Sequence, residues 1–128
     1  MLFPDEKSLA KAYAAYLQAR GIPTKAEVRC GKGFAADLVS ATVVWEAKLV
    51  LDRNGLYQGF GQVESYRQFL KRPKAAIFGL LPETNKAQAK RIAQWLCERH
   101  KHLWIGFVDV DPGFINYCKH YRLMDTKS

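Results

Sequence analysis

Three ionisable side chains stand where apolar ones would be expected. In FAADLVSATVVWEAKLV, residues 34–50, Asp37, Glu46 and Lys48 interrupt two strand-like apolar runs. Side chains alternate along a strand. Val44, Glu46, Lys48 and Val50 therefore share one face, Val43, Trp45, Ala47 and Leu49 the other, and Asp37 goes with Ala35 and Val39. A short loop at Ala41-Thr42 would pair Ser40 with Val43 and set Asp37 opposite Glu46. Opposed carboxylates whose Cβ atoms lie ~5 Å apart repel each other. A proton shared at a raised pKa would offset that, and so would a hard divalent cation such as Mg²⁺. Lys48 would aim its ammonium at the same spot. A cation beside an ammonium suits phosphodiester cleavage, which needs an activated water and support for charge on phosphate. The competing reading is a solvent-facing hairpin, but Val44 and Val50 on the same face imply partial burial.

The elements that must hold these residues read as one domain over 1–128, without repeats or linkers. Asp5 opens a helix in which Leu9, Ala12, Tyr13, Tyr16 and Leu17 recur at helical spacing, and Gly21 with Pro23 ends it. KAEVRC, FAADLVS and TVVWEAKLVL follow as strands. Asp52-Arg53-Asn54-Gly55 reads as a break, with a helix starting between Leu56 and Gln62 and ending before Pro73. Gly55, Gly59 and Gly61 suggest a loop that orders on a nucleic-acid partner, DNA, because glycine weakens helices. KAAIFGLL is a fourth strand, and a helix capped at Thr84 or Asn85 follows. HLWIGFVDV is a fifth strand, closed by DPG; the tail from Phe114 is unassigned. The order αβββαβαβ indicates an α/β (α+β) fold, a mixed sheet flanked by helices.

Twenty Lys and Arg against twelve Asp and Glu leave a formal charge of +8, which suggests a polyanionic partner, most simply nucleic acid. Three cysteines without a C-x-x-C pair argue against a disulfide framework and fit a reducing cytoplasm. His100 and His102 are too close in sequence to be two ligands on one helical face. The start MLFPDEKSLAKAY has no apolar signal core, and AAIFGLL is too short to cross a bilayer.

Asp37, followed after eight residues by Glu46-Ala47-Lys48 on an apolar strand, resembles the PD-(D/E)XK nuclease superfamily, whose core is restriction-endonuclease-like. The element order is similar as well. Gln62-Val63-Glu64-Ser65-Tyr66 resembles the Q-x-x-x-Y motif of RecB-type nucleases. Glu6 stands ahead of Asp37 much as small Holliday-junction resolvases place an acidic residue. Ala36 stands where that pattern has proline. The resemblance implies a metal-dependent DNA endonuclease, structure-specific (junction-resolvase-like) or of a mobile-element, homing type. Asp37 and Glu46, with Glu6 and the Ala47 carbonyl, would bind Mg²⁺, for which Mn²⁺ can substitute. Lys48 would assist the attacking water, and Gln62 would tune that water or contact phosphate. Tyr66, Arg67, Lys71 and Arg72, with Lys32, would meet DNA, and Lys25, Arg29 and Lys74 would extend that surface. Lys86, Lys90 and Arg91 read as a solvated face. Cutting both strands favours a homodimer. The alternative is a catalytically silent nucleic-acid-binding module on the same fold.

Overall fold

The computed structural model describes residues 2–124. Asp5 accepts a hydrogen bond from the Ser8 N–H at 2.7 Å and starts α1 (Glu6–Ala19), which buries the expected stripe of Leu9, Ala12, Tyr13, Tyr16 and Leu17. An antiparallel meander follows: β1 (Lys25–Arg29), β2 (Ala35–Val39) and β3 (Val43–Val50). The chain then crosses the sheet twice through helices. α2 (Arg53–Leu70) leads to β4 (Lys74–Leu80), and α3 (Lys86–Arg99) leads to β5 (Leu103–Phe107), both strands running parallel to β3. The five strands lie in the order β1-β2-β3-β4-β5. The mixed sheet flanked by helices is the α/β architecture expected.

Two apolar clusters fill the sandwich. Tyr13, Tyr16, Trp45, Ala47, Ala76, Phe78 and Phe114 pack beneath α1, while Val44, Leu56, Val63, Ile77, Ala93 and Leu96 pack beneath α2 and α3. The alternation expected along β3 is therefore observed: Trp45 and Ala47 face α1, and Val44 faces α2.

Three boundaries differ from expectation. Asp52-Arg53-Asn54-Gly55 is not a break: Asp52 accepts the Gly55 N–H at 2.8 Å and caps a helix beginning at Arg53. Gly55, Gly59 and Gly61 therefore lie inside α2 and do not form a loop. β5 stops at Phe107, and Val108–Val110 forms a 3-10 turn from which the Asp109 carboxylate accepts the Leu81 N–H at 2.9 Å. The tail is helical: Asp111 caps and Pro112 opens α4 (Pro112–Tyr121), whose Phe114 and Cys118 are buried. Tyr13 stacks on Phe78 with ring centroids 4.1 Å apart and meets Phe114 at 5.4 Å, so α4 closes the α1 face. Asn85 is the α3 cap residue, in left-handed conformation and without a side-chain capping bond. Residues 125–128, part of the unassigned tail, lie outside the described residues.

One glycine fixes where the charged strand β3 meets its neighbour. The β3–β4 register shifts between Lys48 and Val50, opposite Gly79. A Cβ on Gly79 would fall onto the Lys48 carbonyl oxygen and lie 2.8 Å from the Leu51 side chain. Gly79→Ala must part the two strands and is expected to cost about 1–3 kcal/mol. Urea unfolding measures this, and an unchanged midpoint would refute the tight fit.

Candidate active site

β2 and β3 pair at Leu38↔Trp45 and Val39↔Val44, and the Ser40 N–H donates to the Val43 carbonyl at 2.9 Å. This is the expected register, and its continuation sets Asp37 opposite Glu46. The paired ladder stops there. The Ala47 N–H donates to the Asp37 carboxylate at 2.7 Å. Two residues on, the Leu49 N–H donates to the Glu6 carboxylate at 3.4 Å. Alternate N–H groups point to the same edge of a strand. The edge of β3 that β2 vacates is thus occupied by two carboxylates, one from β2 and one from α1.

The neighbouring strand accommodates this arrangement. The β1–β2 register, with Ala26↔Leu38 and Val28↔Ala36, places Glu27 across from Asp37. Glu27 adopts φ 52°, a left-handed conformation that a non-glycine residue takes only at a cost. Its carboxylate pairs with Lys7 at 3.4 Å in solvent. The core changes sides at the same point: Ala36 packs in the α2 cluster and Leu38 in the α1 cluster.

Glu46 and Lys48 face α2 as the alternation requires, and both are buried, at 6% and 8% exposure. Lys48 Nζ lies 3.8 Å from Glu46 Oε2. Burial pushes the Glu46 carboxyl up to about 9, and the neighbouring Asp37 pushes the same way while Lys48 opposes. Asp37 is also raised, first by burial; the Ala47 N–H and proton sharing with Glu46 pull it back, and Glu6 adds repulsion. One proton held between the two carboxyls leaves a single negative charge to face the Lys48 ammonium.

α2 closes the site from above. A Cβ on Gly59 would lie 3.2 Å from Ile77 and 3.5 Å from the Lys48 stem, so the missing side chain lets the helix lie down on Lys48. One turn on, Gln62 Oε1 is buried without a hydrogen-bond partner, as is Glu46 Oε1. Tyr66 is buried on the same helix, one turn beyond Gln62, and its phenol is raised by burial and then by the charges of Glu46 and Asp37. Asp37, Glu46, Lys48 and Tyr66 are therefore gathered, with Glu6 at the exposed margin.

The basic residues divide differently. Arg67 binds Glu64 at 3.1 Å and donates to the Arg72 carbonyl. Arg72 donates to the carbonyls of Ser40 and Leu70 at 3.0 and 2.7 Å, tying the end of α2 to the β2–β3 turn. Both guanidinium groups, expected at DNA, are engaged within the chain. Lys71 and Lys32 are exposed. The sequence reading missed a polar cluster behind Arg67: His102 at the foot of β5 also bonds Glu64. Burial presses the Glu64 carboxyl upward, but the bonds from Arg67 and His102 prevail and hold it below its ordinary value.

The donor atoms suit a hard cation. Asp37 and Glu46 offer carboxylate oxygens, and the unpartnered Glu46 and Gln62 oxygens are buried acceptors with nothing to accept from. Among the described residues no three His, Cys, Asp or Glu side chains form one metal-holding group. Asp37 and Glu46 supply two carboxylates, and Mg²⁺ is usually bound through one or two. Among the same residues no helix is long and apolar enough to cross a membrane. Comparison with protein-family models, with curated proteins and with solved structures finds no match for this chain.

Proposed function

We propose that this protein is a Mg²⁺-dependent DNA endonuclease. The observation that carries the reading is the half-buried Asp37 set against the buried Glu46, one of whose oxygens has no hydrogen-bond donor, with the buried Lys48 ammonium 3.8 Å from Glu46. Two carboxylates that must share a proton when alone are poor structural elements and good cation ligands. A divalent cation held by Asp37 and Glu46 would supply a lowered water pKa and an electrostatic clamp on phosphate oxygen. The residues supply the rest. The Ala47 N–H fixes the Asp37 carboxylate. Lys48, its stem held under Gly59, donates to a phosphate oxygen as negative charge develops there. Gln62, whose buried Oε1 has no hydrogen-bond partner, would orient the attacking water. Water adds to phosphorus, one P–O ester bond breaks, and a phosphomonoester and a hydroxyl result.

Exposed Lys32 and Lys71 and the +8 net charge supply sequence-independent attraction to the phosphate backbone. One such site cuts one strand, so two copies related by a two-fold axis would cut both. The decisive test offers plasmid, linear duplex and four-way-junction DNA to the protein with Mg²⁺, Mn²⁺ or EDTA. Cleavage with either cation and none in EDTA is expected. Binding without cleavage under every cation would mark the chain as a silent DNA-binding module.

A further inference from the structure

On the other face of the sheet, away from the carboxylate pair, a groove of about 490 Å³ opens between the end of α1 and the starts of β3, β4 and β5. Its lining includes Tyr16, Arg20, Trp45, Lys74, Lys101 and Trp104. Trp45 pairs with Ala76, and Ala76 with Trp104, so the two indoles stand in one row across the sheet with only a methyl between them. Trp45 is buried, whereas Trp104 on the edge strand is 47% exposed. A Cβ on Gly106 would run into the Trp104 ring. Glycine there lets the indole lie flat on the strand and turn a face outward.

The charges around this ring follow from topology. β1, β3, β4 and β5 all begin at the same end of the sheet, because β1 and β3 are both antiparallel to β2 while β4 and β5 run parallel to β3. Segments entering these strands carry Arg20, Lys25, Lys71, Lys74 and Lys101. Arg20 donates one bond to the Tyr16 hydroxyl at 2.9 Å and keeps further donors free. Asp111 is the acidic residue in the lining. An exposed aromatic platform rimmed by cations is how proteins hold single strands: the ring stacks on any base, and the cations track the backbone.

We propose that this groove holds an unpaired nucleotide of a single-stranded nucleic-acid segment, its base on Trp104 and its phosphates at Lys74, Lys101 and Arg20. The proposal rests on the nucleic-acid reading above for the class of polyanion, and not on cleavage. Oligothymidylate titrated in EDTA should quench tryptophan fluorescence, with an affinity that falls as salt rises. Trp104→Ala should weaken binding about ten-fold. Trp104→Phe should keep most of the affinity and lose most of the quench. The pair Lys74→Glu and Lys101→Glu should flatten the salt dependence. The titration is read in EDTA, where no cation-dependent cleavage takes part, so a failed nuclease assay and a failed groove are told apart. Unchanged binding in Trp104→Ala, or equal Trp104-dependent binding of blunt duplex, overturns the proposal. So does a Trp104→Ala protein that changes its sedimentation but not its oligonucleotide affinity, because a second copy would then cover the groove.

Discussion

Asp37→Asn and Lys48→Met are each expected to reduce the proposed cation-dependent DNA cleavage by about 10³-fold while leaving the fold intact. These substitutions are chosen to separate chemistry from structure. An asparagine at position 37 retains an oxygen able to accept the Ala47 N–H, which the native carboxylate takes at 2.7 Å, but it carries no charge for a cation. A methionine at position 48 keeps the apolar stem that lies against Gly59 and removes the ammonium. Loss of a single charge-stabilising donor in an enclosed site is worth about 10²–10³ in rate, and loss of a cation ligand disables water activation as well. Glu6→Gln should cost less than about ten-fold, because Glu6 is exposed and holds the Leu49 N–H only at 3.4 Å. Plasmid nicking at saturating Mg²⁺, beside thermal unfolding of each variant, decides the matter. Near-native cleavage by folded Asp37→Asn or Lys48→Met protein would remove those residues from the mechanism.

Much of this site is legible in the sequence because it depends on period and turn length. The two-residue side-chain period puts Glu46 and Lys48 on one face, and a short turn at Ala41-Thr42 sets Asp37 against Glu46; both appear in the observed register. What escapes is decided by contacts outside the local pattern. Gly55, Gly59 and Gly61 lower helix propensity by ~1 kcal/mol each. They nevertheless lie inside α2, where Gly59 leaves room for Ile77 and Lys48. The parting of β2 from β3 is equally hidden, since a side-chain carboxylate there takes a bond that pattern reasoning assigns to backbone. Arg67 and Arg72 look like any basic cluster until Glu64 and the Ser40 carbonyl are found beside them. α4 carried a usable signal: aspartate followed by proline is a helix start as well as a turn.

Glu46→Gln is expected to stabilise the cation-free protein at pH 8 and to abolish the response to the proposed Mg²⁺. The folded Glu46 carboxyl titrates near 9 against 4.5 for an ordinary glutamate, so the folded state binds a proton more tightly than the unfolded state does. Stability from this group is fully present below pH 4.5 and is lost as pH rises toward 9. Glutamine imitates the protonated carboxyl at every pH. Wild type and Glu46→Gln should therefore melt almost together at pH 4.5, with the variant ahead by about 10 °C at pH 8 in EDTA. A bound cation would reverse the order, because it would replace the shared proton with charge that favours the ionised pair. Mg²⁺ should raise the wild-type melting temperature at pH 8 and leave the variant unmoved. Since binding then releases about one proton, Mg²⁺ affinity should rise about ten-fold per pH unit below 9. Differential scanning fluorimetry across pH, with and without Mg²⁺, reads all three effects. A Glu46→Gln protein less stable than wild type in EDTA at pH 8 would mean that Glu46 is ionised and held by Lys48. The pair would then be a structural ion pair with no vacancy for a cation to fill.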